Sequence, residues 1–215
     1  SFPMSRRAHA PVVTTLHGRL DLPELQPIFD EYTDMPVVSI SNAQRKPLPQ
    51  ANWAGTVYHG IPKNLYSAHD RHGSYLAFLG RISPENFPDD AIEVAKRVGI
   101  PLRIAAKVDP ADRAYFKKKI EPLLDHPLIE YVGEINDAEK YDFLGEAAAL
   151  VCPYDWPEPF GLVLIEAMAC RTPVLAYRQG SIPEIIDHGV TGYVCDNIGE
   201  MTQAVAGLSL IDRSR

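Results

Sequence analysis

The apolar positions of this chain follow two patterns that divide near residue 73. From Ser74 onward, short and almost wholly apolar runs alternate with amphipathic stretches of helical length. A short, continuous apolar run predicts a strand that is buried on both faces, as in a parallel sheet. Six such strands are predicted, at residues 75–79, 102–106, 129–132, 149–152, 174–177 and 193–195.

Amphipathic segments separate these strands. In the first of them, Ile92, Ala95 and Val98 recur at helical spacing and mark one apolar face. Strands that alternate with helices on this scale predict an α/β fold with a doubly wound parallel sheet, in which ligands bind in the crevice beyond the carboxyl ends of the strands. The predicted helices cover residues 89–98, 111–124, 138–145, 162–170, 183–187 and 201–207.

Residues 1–73 follow the other pattern. Strands are predicted at residues 12–16, 37–40 and 56–58, with one helix at 23–32 for which Asp21 lies in the N-cap region. Three strands and one helix make a poor sheet on their own. We therefore interpret residues 1–62 as the C-terminal remainder of an N-terminal α/β domain. Residues 63–215 are interpreted as a second, Rossmann-like domain that is itself open to truncation at its C-terminus. The boundary is expected within residues 59–71, and the start at Ser1 rather than Met suggests a piece of a longer protein.

Composition narrows the classes of function. The chain has 215 residues, of which 46% are hydrophobic and 23% charged, and its formal net charge is −7. An acidic chain whose longest run of like charge is three lysines, at 117–119, lacks the basic footprint of a nucleic-acid-binding protein. The three cysteines are far apart with no C-x-x-C pair, so neither a disulfide framework nor a zinc site is indicated. A cytoplasmic location is expected, and peripheral attachment to the inner face of a membrane stays open.

The segment 153–170 carries the most specific chemistry. Glu158 stands between Pro157 and Pro159, and a residue before proline is disfavoured in a helix, so Glu158 is expected in a loop just past the strand that ends at Cys152. Gly161 is expected to open the next helix, whose first turn exposes unpaired N–H groups and forms an anion site. With Glu166 inside that helix, two carboxylates would flank a phosphate-bearing ligand. The plainer alternative is a pair of solvent-facing acids on a surface helix.

The chain resembles the C-terminal half of retaining glycosyltransferases of the GT-B fold, family 4. That family carries the pattern E-P-F-G-x-x-x-x-E, which is matched here by Glu158, Pro159, Phe160, Gly161 and Glu166. Three further blocks are similar: a strand that ends in Gly80-Arg81, a turn at residues 131–135, and a G-[GS]-x-P-E run that extends over residues 180–192. The resemblance is strong over residues 59–207, and residues 1–58 are similar to the end of that family's N-terminal domain.

The resemblance implies roles around the sugar and the leaving group of a nucleotide-sugar donor. Glu166 would bind the ribose hydroxyls, and Glu158 would hold the sugar near its anomeric carbon. Arg81, which follows Gly80, would neutralise the charge that grows on the leaving phosphate. His17 matches a histidine that the family's N-terminal domain presents to the donor sugar.

The resemblance also implies how the nucleotide is held. The backbone of Phe160, Gly161 and Leu162 would bind the diphosphate at the helix N-terminus. Ile135 and its neighbour Glu134 would contact the base. No metal and no cofactor is expected, since the nucleotide-diphosphate sugar is itself the substrate.

Each of these residues also has a plainer interpretation. Arg81 could be a surface arginine at a strand end, and His17 could cap a turn. For Glu184 and Trp156 the plainer interpretation is favoured: Glu184 starts a helix, and Trp156 packs. The remaining histidines, His59 among them, show no pairing pattern and are interpreted as structural or exposed.

The sequence departs from the family at one charged position. The family's Gly-Arg segment continues to a lysine that meets the diphosphate, whereas this chain has Asn86. By analogy with the removal of one preorganised donor, the loss of that charge would cost about 2–4 kcal/mol. Lys107, at the end of the next strand, could compensate, or it could be a solvated surface lysine.

The function expected from the resemblance is transfer of a sugar from a nucleotide-diphosphate donor to a hydroxyl acceptor, with retention at the anomeric carbon. The acceptor is open among sugars, lipid-linked sugars and small molecules. The main alternative is a non-catalytic module that binds a nucleotide or docks on a partner chain that supplies the rest of the N-terminal domain. A sugar-nucleotide epimerase of similar architecture does not predict the Glu-Pro-Phe-Gly block and ranks last.

Overall fold

The computed structural model describes residues 2–62 and 73–214, and these form two α/β units in contact with each other. We refer to residues 2–62 as the N-terminal unit and to residues 73–214 as the C-terminal unit. The predicted domain boundary, between residues 62 and 63, lies at the edge of the stretch outside the described residues. Strands β1 to β3 form one sheet and β4 to β9 the other.

The C-terminal sheet is parallel throughout and has the strand order β6-β5-β4-β7-β8-β9. Renumbered within the unit, this is the order 3-2-1-4-5-6 of the doubly wound dinucleotide-binding fold. The order reverses between β4 and β7, which lie side by side in the centre. The strands are Tyr75–Arg81 (β4), Leu102–Lys107 (β5), Ile129–Gly133 (β6), Ala147–Cys152 (β7), Val174–Tyr177 (β8) and Gly192–Cys195 (β9).

Helices cover both faces of this sheet, which explains the continuous apolar runs. Successive residues of β4 point to opposite faces, and both faces are buried. Leu76 and Phe78 enter one core cluster, whereas Tyr75 and Ala77 enter another. The helices of the unit are Pro88–Val98 (α4), Arg113–Tyr115 (α5), Asp137–Gly145 (α6), Leu162–Ala169 (α7), Ile182–Ile185 (α8) and Ile198–Gly207 (α9).

The N-terminal unit is a small three-stranded parallel sheet with its own apolar cluster. Its order is β1-β2-β3, and Phe29, Val37 and Leu48 are among the residues buried in its core. The strands are Thr14–Thr15 (β1), Val37–Ser39 (β2) and Trp53–Thr56 (β3), and the helices are Phe2–Ser5 (α1), Gln26–Glu31 (α2) and Asn42–Arg45 (α3). A 3-10 turn, Pro23–Leu25, leads into α2.

The structure corrects several predicted elements. The third strand of the N-terminal unit runs over Trp53–Thr56, not 56–58, and α3 was not predicted. Asp21 does not cap α2; it pairs with Arg19. The helix predicted at 111–124 is helical in pieces: α5 is followed by a π-helical turn, Phe116–Ile120, and by a 3-10 turn that contains Pro122. Proline has no N–H to donate, so a regular α-helical ladder cannot pass through it.

Within residues 2–62 and 73–214, every helix falls short of the length and apolarity needed for a membrane span.

Candidate functional site

The candidate site lies where the order of the C-terminal sheet reverses. The connections from β4 and β7 leave the sheet toward opposite faces, which opens a crevice beyond their carboxyl ends. Gly80 and Arg81 end β4, and the loop 153–161 joins β7 to α7. The predicted site residues therefore converge on one edge of the sheet.

Gly161 begins α7 in a conformation that other residues avoid. Its φ is 81°, and a Cβ there would lie 2.8 Å from the Leu164 side chain. No side chain caps this helix at its N-cap, and Leu162 in its first turn is exposed. The first turn of α7 thus faces the crevice with backbone N–H groups and the positive end of the helix dipole, as an anion site requires.

Glu158 lies in the loop before α7, as predicted, and is half-buried. Burial raises the pKa of its carboxyl, and the backbone amides of Phe160 and Gly161 lower it only in part. The Phe160 amide donates to Oε1 of Glu158 at 3.3 Å. The carboxyl is therefore fixed beside the first turn of α7 in a poorly solvated position.

Gly180 and Ser181 pack against the loop that carries Glu158 and bond to its backbone. A Cβ on Gly180, whose φ is 51°, would lie 2.3 Å from the carbonyl oxygen of Glu158. The Ser181 amide donates to that same carbonyl at 2.9 Å, and its buried hydroxyl donates to the Phe160 carbonyl at 3.0 Å. The glycine and serine of the third motif therefore shape the Glu158 loop.

Arg81 and Lys107 are adjacent cations at the mouth of the crevice. They are register partners at the ends of β4 and β5, and their side chains are 50% and 56% exposed. Lys107 lies 3.1 Å from Asp109, whose hydrogen bond raises the pKa of that lysine. Arg81 is 3.9 Å from both Asp109 and Asp112. At Gly80, an added Cβ would meet nothing within 4 Å, so there is open space beside its backbone.

Glu166 lies inside α7 and is paired. Its side chain is only 14% exposed, and Oε1 accepts from Lys140 at 3.0 Å. Lys140 on α6 also lies 3.2 Å from Asp137. Sequence reasoning missed Lys140, because a contact between α6 and α7 has no signature in local spacing.

Glu134 and Ile135 follow β6, the edge strand on the other side of β5. Gly133 before them has φ 85°, which turns the chain at the end of the strand. Glu134 is exposed, and Ile135 packs at the edge of one core cluster of the sheet. Both residues lie at the carboxyl end of the sheet, the same edge at which Arg81 and Lys107 end their strands.

The N-terminal unit contributes two histidines to the crevice. His17 follows β1, and its Nδ1 lies 3.4 Å from Nε2 of His59. The two rings are nearly parallel, at an angle of 13°. The ring of His59 in turn meets Phe160 edge-on, with ring centroids 5.0 Å apart. The sequence shows no pairing pattern for His59, but in the structure it stands between His17 and the loop 153–161.

Glu184 does more than start a helix. Its carboxylate accepts hydrogen bonds from the amides of Asn42 and Ala43 at 2.8 and 2.6 Å, and from the hydroxyl of Tyr58 at 2.8 Å. The side-chain amide of Asn42 adds a fourth bond, at 3.0 Å. Burial by itself would raise the pKa of Glu184, but these hydrogen bonds lower it overall. One carboxylate of the C-terminal unit thus caps α3 of the N-terminal unit.

Asn86, at the position of the family's lysine, connects the two sides of the crevice. Its side-chain amide donates to the Arg81 carbonyl at 2.8 Å and accepts from the Trp156 indole at 3.2 Å. The sequence favoured a plain packing role for Trp156, but its indole also donates a hydrogen bond across the crevice to Asn86. Arg19 of the N-terminal unit lies over the Trp156 ring at 5.6 Å and pairs with Glu85 at 3.4 Å.

Across the described ranges, no three His, Cys, Asp or Glu side chains are grouped so that they could hold a metal ion.

Segments of this chain are similar to two bacterial proteins. D-inositol 3-phosphate glycosyltransferase of Mycobacterium leprae is 31% identical over 148 residues, which are 62% of this chain and 32% of that protein. N-acetyl-alpha-D-glucosaminyl L-malate synthase of Bacillus anthracis is 58% identical over 45 residues, which are 21% of this chain and 12% of that protein. The matched segments thus span no more than about a third of either relative.

Solved structures share the fold. HepE of Anabaena, crystallised with UDP and glucose, superposes with a TM-score of 0.76 at 20% identity over 97% of this chain and 68% of that chain. Sucrose-phosphate synthase of Thermosynechococcus elongatus superposes with a TM-score of 0.80 at 18% identity over 99% of this chain and 62% of that chain. These likenesses confirm the GT-B fold that was predicted from the sequence.

The family model for glycosyl transferases group 1 matches residues 67–211, well over half of the chain. Together with the strand order and the position of the motifs at the switch point, this match shows that the chain belongs to the glycosyl transferases group 1 family.

Proposed function

We propose that this chain binds a nucleotide-diphosphate sugar in the crevice between β4 and β7 and takes part in transferring the sugar to a hydroxyl acceptor with retention at the anomeric carbon. The observation that carries the proposal is the arrangement at the switch point. The first turn of α7 and the loop with Glu158 lie on one side, and Arg81 ends the strand on the other.

The diphosphate would lie at the first turn of α7, beside Phe160, Gly161 and Leu162. Arg81 is the cation proposed to meet the leaving phosphate. Its two carboxylate neighbours are 3.9 Å away and its side chain is half exposed, so a more highly charged diphosphate can compete for it. Lys107, one strand away, would support the same charge.

The nucleoside would occupy the side nearer α6. Glu166 would accept hydrogen bonds from the ribose hydroxyls while its Oε1 keeps the hydrogen bond from Lys140. Ile135 and Glu134 would contact the base, chiefly through their backbone. Because HepE was crystallised with UDP, uracil is the first base to test.

The sugar would lie between Glu158 and His17. In a retaining transfer by this route, the bond between the anomeric carbon and the phosphate oxygen breaks, and the acceptor oxygen bonds to the same face of that carbon. The departing phosphate oxygen takes the acceptor's proton, so the chain itself supplies no general base. Arg81 would stabilise the negative charge that grows on the phosphate as this bond breaks.

The acceptor is proposed to be a small hydroxylated molecule. The names of the relatives point to inositol phosphate and malate, which are both hydroxylated anions. No metal is required in the proposed mechanism. We also propose a cytoplasmic location, because all three cysteines are free and buried.

A non-catalytic nucleotide-binding module is the second candidate. Asn86 favours it, since a neutral amide stands where the family has a lysine, and Asp109 and Asp112 offset part of the charge of Arg81 and Lys107. Such a module would bind the nucleotide and leave catalysis to a partner chain.

Calorimetric titration with UDP, GDP, ADP and UDP-glucose, without added metal and with a chelator, tests the proposal. We expect one nucleotide to bind with a Kd on the order of micromolar. Glu166→Gln should weaken this binding by about tenfold, the size of a lost charged hydrogen bond. Glu121→Gln, at an exposed glutamate of the C-terminal unit, is the matched control.

The outcomes separate the candidates. If no nucleotide binds to the folded chain, or if Glu166→Gln binds as the wild type does, the assignment of the crevice is wrong. If the nucleotide binds but UDP-glucose is neither hydrolysed nor transferred to inositol phosphate or malate, the non-catalytic module is favoured. Where a product forms, the anomeric coupling constant in its NMR spectrum tests retention.

A further inference from the structure

We infer that His59 is a positioning residue for His17 and thereby sets the affinity of the site for the sugar half of the donor. The inference rests on the proposed function, because it concerns the same crevice. It assigns a role to a residue that has no place in the family motifs quoted above.

The ring of His59 has two aromatic neighbours. Its ring lies between His17 and Phe160: nearly parallel to the first at a centroid distance of 5.1 Å, and edge-on to the second at 5.0 Å. Phe160 is almost completely buried, His59 is half-buried and His17 is exposed. The three rings therefore make contact in series, from Phe160 in the loop 153–161 through His59 to the exposed His17.

The two imidazole rings can share a hydrogen bond. Nδ1 of His17 and Nε2 of His59 are 3.4 Å apart, close enough for one hydrogen bond when one of these nitrogens carries the proton and the other does not. That bond occupies Nδ1 of His17 and couples the tautomer of its ring to that of His59. Nε2 of His17 is then the ring nitrogen with which a sugar hydroxyl can pair.

The environment of His59 favours its neutral form. Burial lowers the pKa of His59, and the neighbouring His17 lowers it further. His59 is therefore neutral at neutral pH and can share a hydrogen bond with His17 without charge repulsion. The other titratable groups nearby are Glu158, two residues from Phe160, and Tyr58, whose hydroxyl is bonded to Glu184.

Contact with His59 matters because the ring of His17 is otherwise free to rotate. His17 follows a two-residue strand and is exposed, so its ring by itself would sample several rotamers. Contact with His59, which in turn rests on the buried Phe160, restricts that freedom before the donor arrives. A preorganised ring loses less entropy on binding than a free one.

The test compares UDP with UDP-glucose in a double-mutant cycle. His59→Phe keeps a ring against Phe160 but removes the nitrogen, and His59→Gln keeps a polar atom that can bond to His17. We expect His59→Phe to weaken UDP-glucose binding about five- to tenfold, the size of one hydrogen bond. UDP binding should stay unchanged, and His59→Gln should restore most of the loss.

The cycle with His17→Ala decides whether His59 acts through His17. In that background, His59→Phe should have no further effect on UDP-glucose binding. An equal further loss in the His17→Ala background would overturn the inference, and so would an equal loss of UDP binding in His59→Phe, since both mean that His59 acts independently of the histidine pair.

A second measurement needs no ligand. Long-range ¹H–¹⁵N spectra report the tautomer of each histidine ring, and we expect His59→Phe to change the tautomer ratio of His17 in the free chain. Unchanged His17 resonances would overturn the inference even if no nucleotide binds. Absence of nucleotide binding together with a changed tautomer would contradict the proposed function, and with it the effect on sugar affinity, while the positioning of His17 by His59 would stand.

Discussion

Removal of the Glu184 carboxylate should loosen the contact between the two units. Its four hydrogen bonds to Asn42, Ala43 and Tyr58 have lengths between 2.6 and 3.0 Å. Each is assigned about 0.5–1 kcal/mol, at the low end of the usual range because the carboxylate is half exposed. Glu184→Ala should therefore weaken the contact by about 2–4 kcal/mol, a roughly 30- to 700-fold shift toward separated units.

Amide hydrogen exchange at α3 measures this shift directly. The first amides of a helix have no partner within the helix, so the protection of Asn42 and Ala43 must come from Glu184. The amide of Gln44 instead donates to Ser41 of its own unit at 3.0 Å. In Glu184→Ala, the exchange of Asn42 and Ala43 should accelerate by about the same 30- to 700-fold, while that of Gln44 stays unchanged.

The converse variant is the matched control. Ser41→Ala should accelerate exchange at Gln44 and leave Asn42 and Ala43 protected. Protection of Asn42 and Ala43 that survives in Glu184→Ala would refute the reasoning, because a partner other than this carboxylate would then hold α3. Acceleration at all three amides in Glu184→Ala would mean that α3 itself had unfolded.

The pH dependence of the same contact has a defined direction. The pKa of Glu184 is lowered overall, so its contribution is present above the ordinary glutamate value of 4.5 and is lost as the pH falls through the lowered value. Exchange at Asn42 should therefore rise in acid relative to exchange at Gln44. An unchanged ratio of the two rates would contradict a role for the ionised carboxylate.

Three further predictions concern Glu158 and two residues that contact its loop, 153–161. Gly180→Ala should lower both Tm and nucleotide affinity, since its Cβ would lie 2.3 Å from the Glu158 carbonyl oxygen. Gly189→Ala, also at positive φ but in open space, should cost only about 1–2 kcal/mol of backbone strain, and equal losses would contradict the steric argument. Because burial raises the pKa of Glu158, its protonated form favours folding. The Tm of the wild type relative to Glu158→Gln should thus fall as the pH rises from 4.5 through the raised value, and a constant difference would exclude this effect. Asn86→Lys should lose about 1–2 kcal/mol of stability with its two hydrogen bonds but bind UDP more tightly than Asn86→Leu, and equal affinities would exclude a charge effect at this position.

The C-terminal unit could be predicted well from the sequence. The strands β4, β7 and β8 are nearly continuous apolar runs, because both faces of a central parallel strand are buried. Toward the edge of the sheet, β5 and β6 also carry the paired Arg103 and Glu130, and each was still recognised from its apolar neighbours. The loop position of Glu158 and the helix start at Gly161 also follow from local rules, since proline and glycine restrict the backbone by themselves.

The N-terminal unit was predicted less well for the same physical reason. Its strands have two to four residues and are only partly buried, so the apolar pattern that marks β4 or β7 is weak there. The α3 helix has four residues, and its N-terminus is capped from the other unit by Glu184. A helix that depends on a partner 141 positions away leaves little local signal.

The sequence by itself determined which backbone surrounds the site, whereas the tertiary structure decided which side chains meet in it. The pairs Lys140–Glu166, His17–His59 and Asn42–Glu184 join residues 26, 42 and 142 positions apart. No periodicity relates such positions, because only the packing of whole elements brings them within hydrogen-bond distance. Proline, glycine and buried strands act over a few residues and can be recognised from the sequence, but the partner of a charged or aromatic side chain depends on the complete fold.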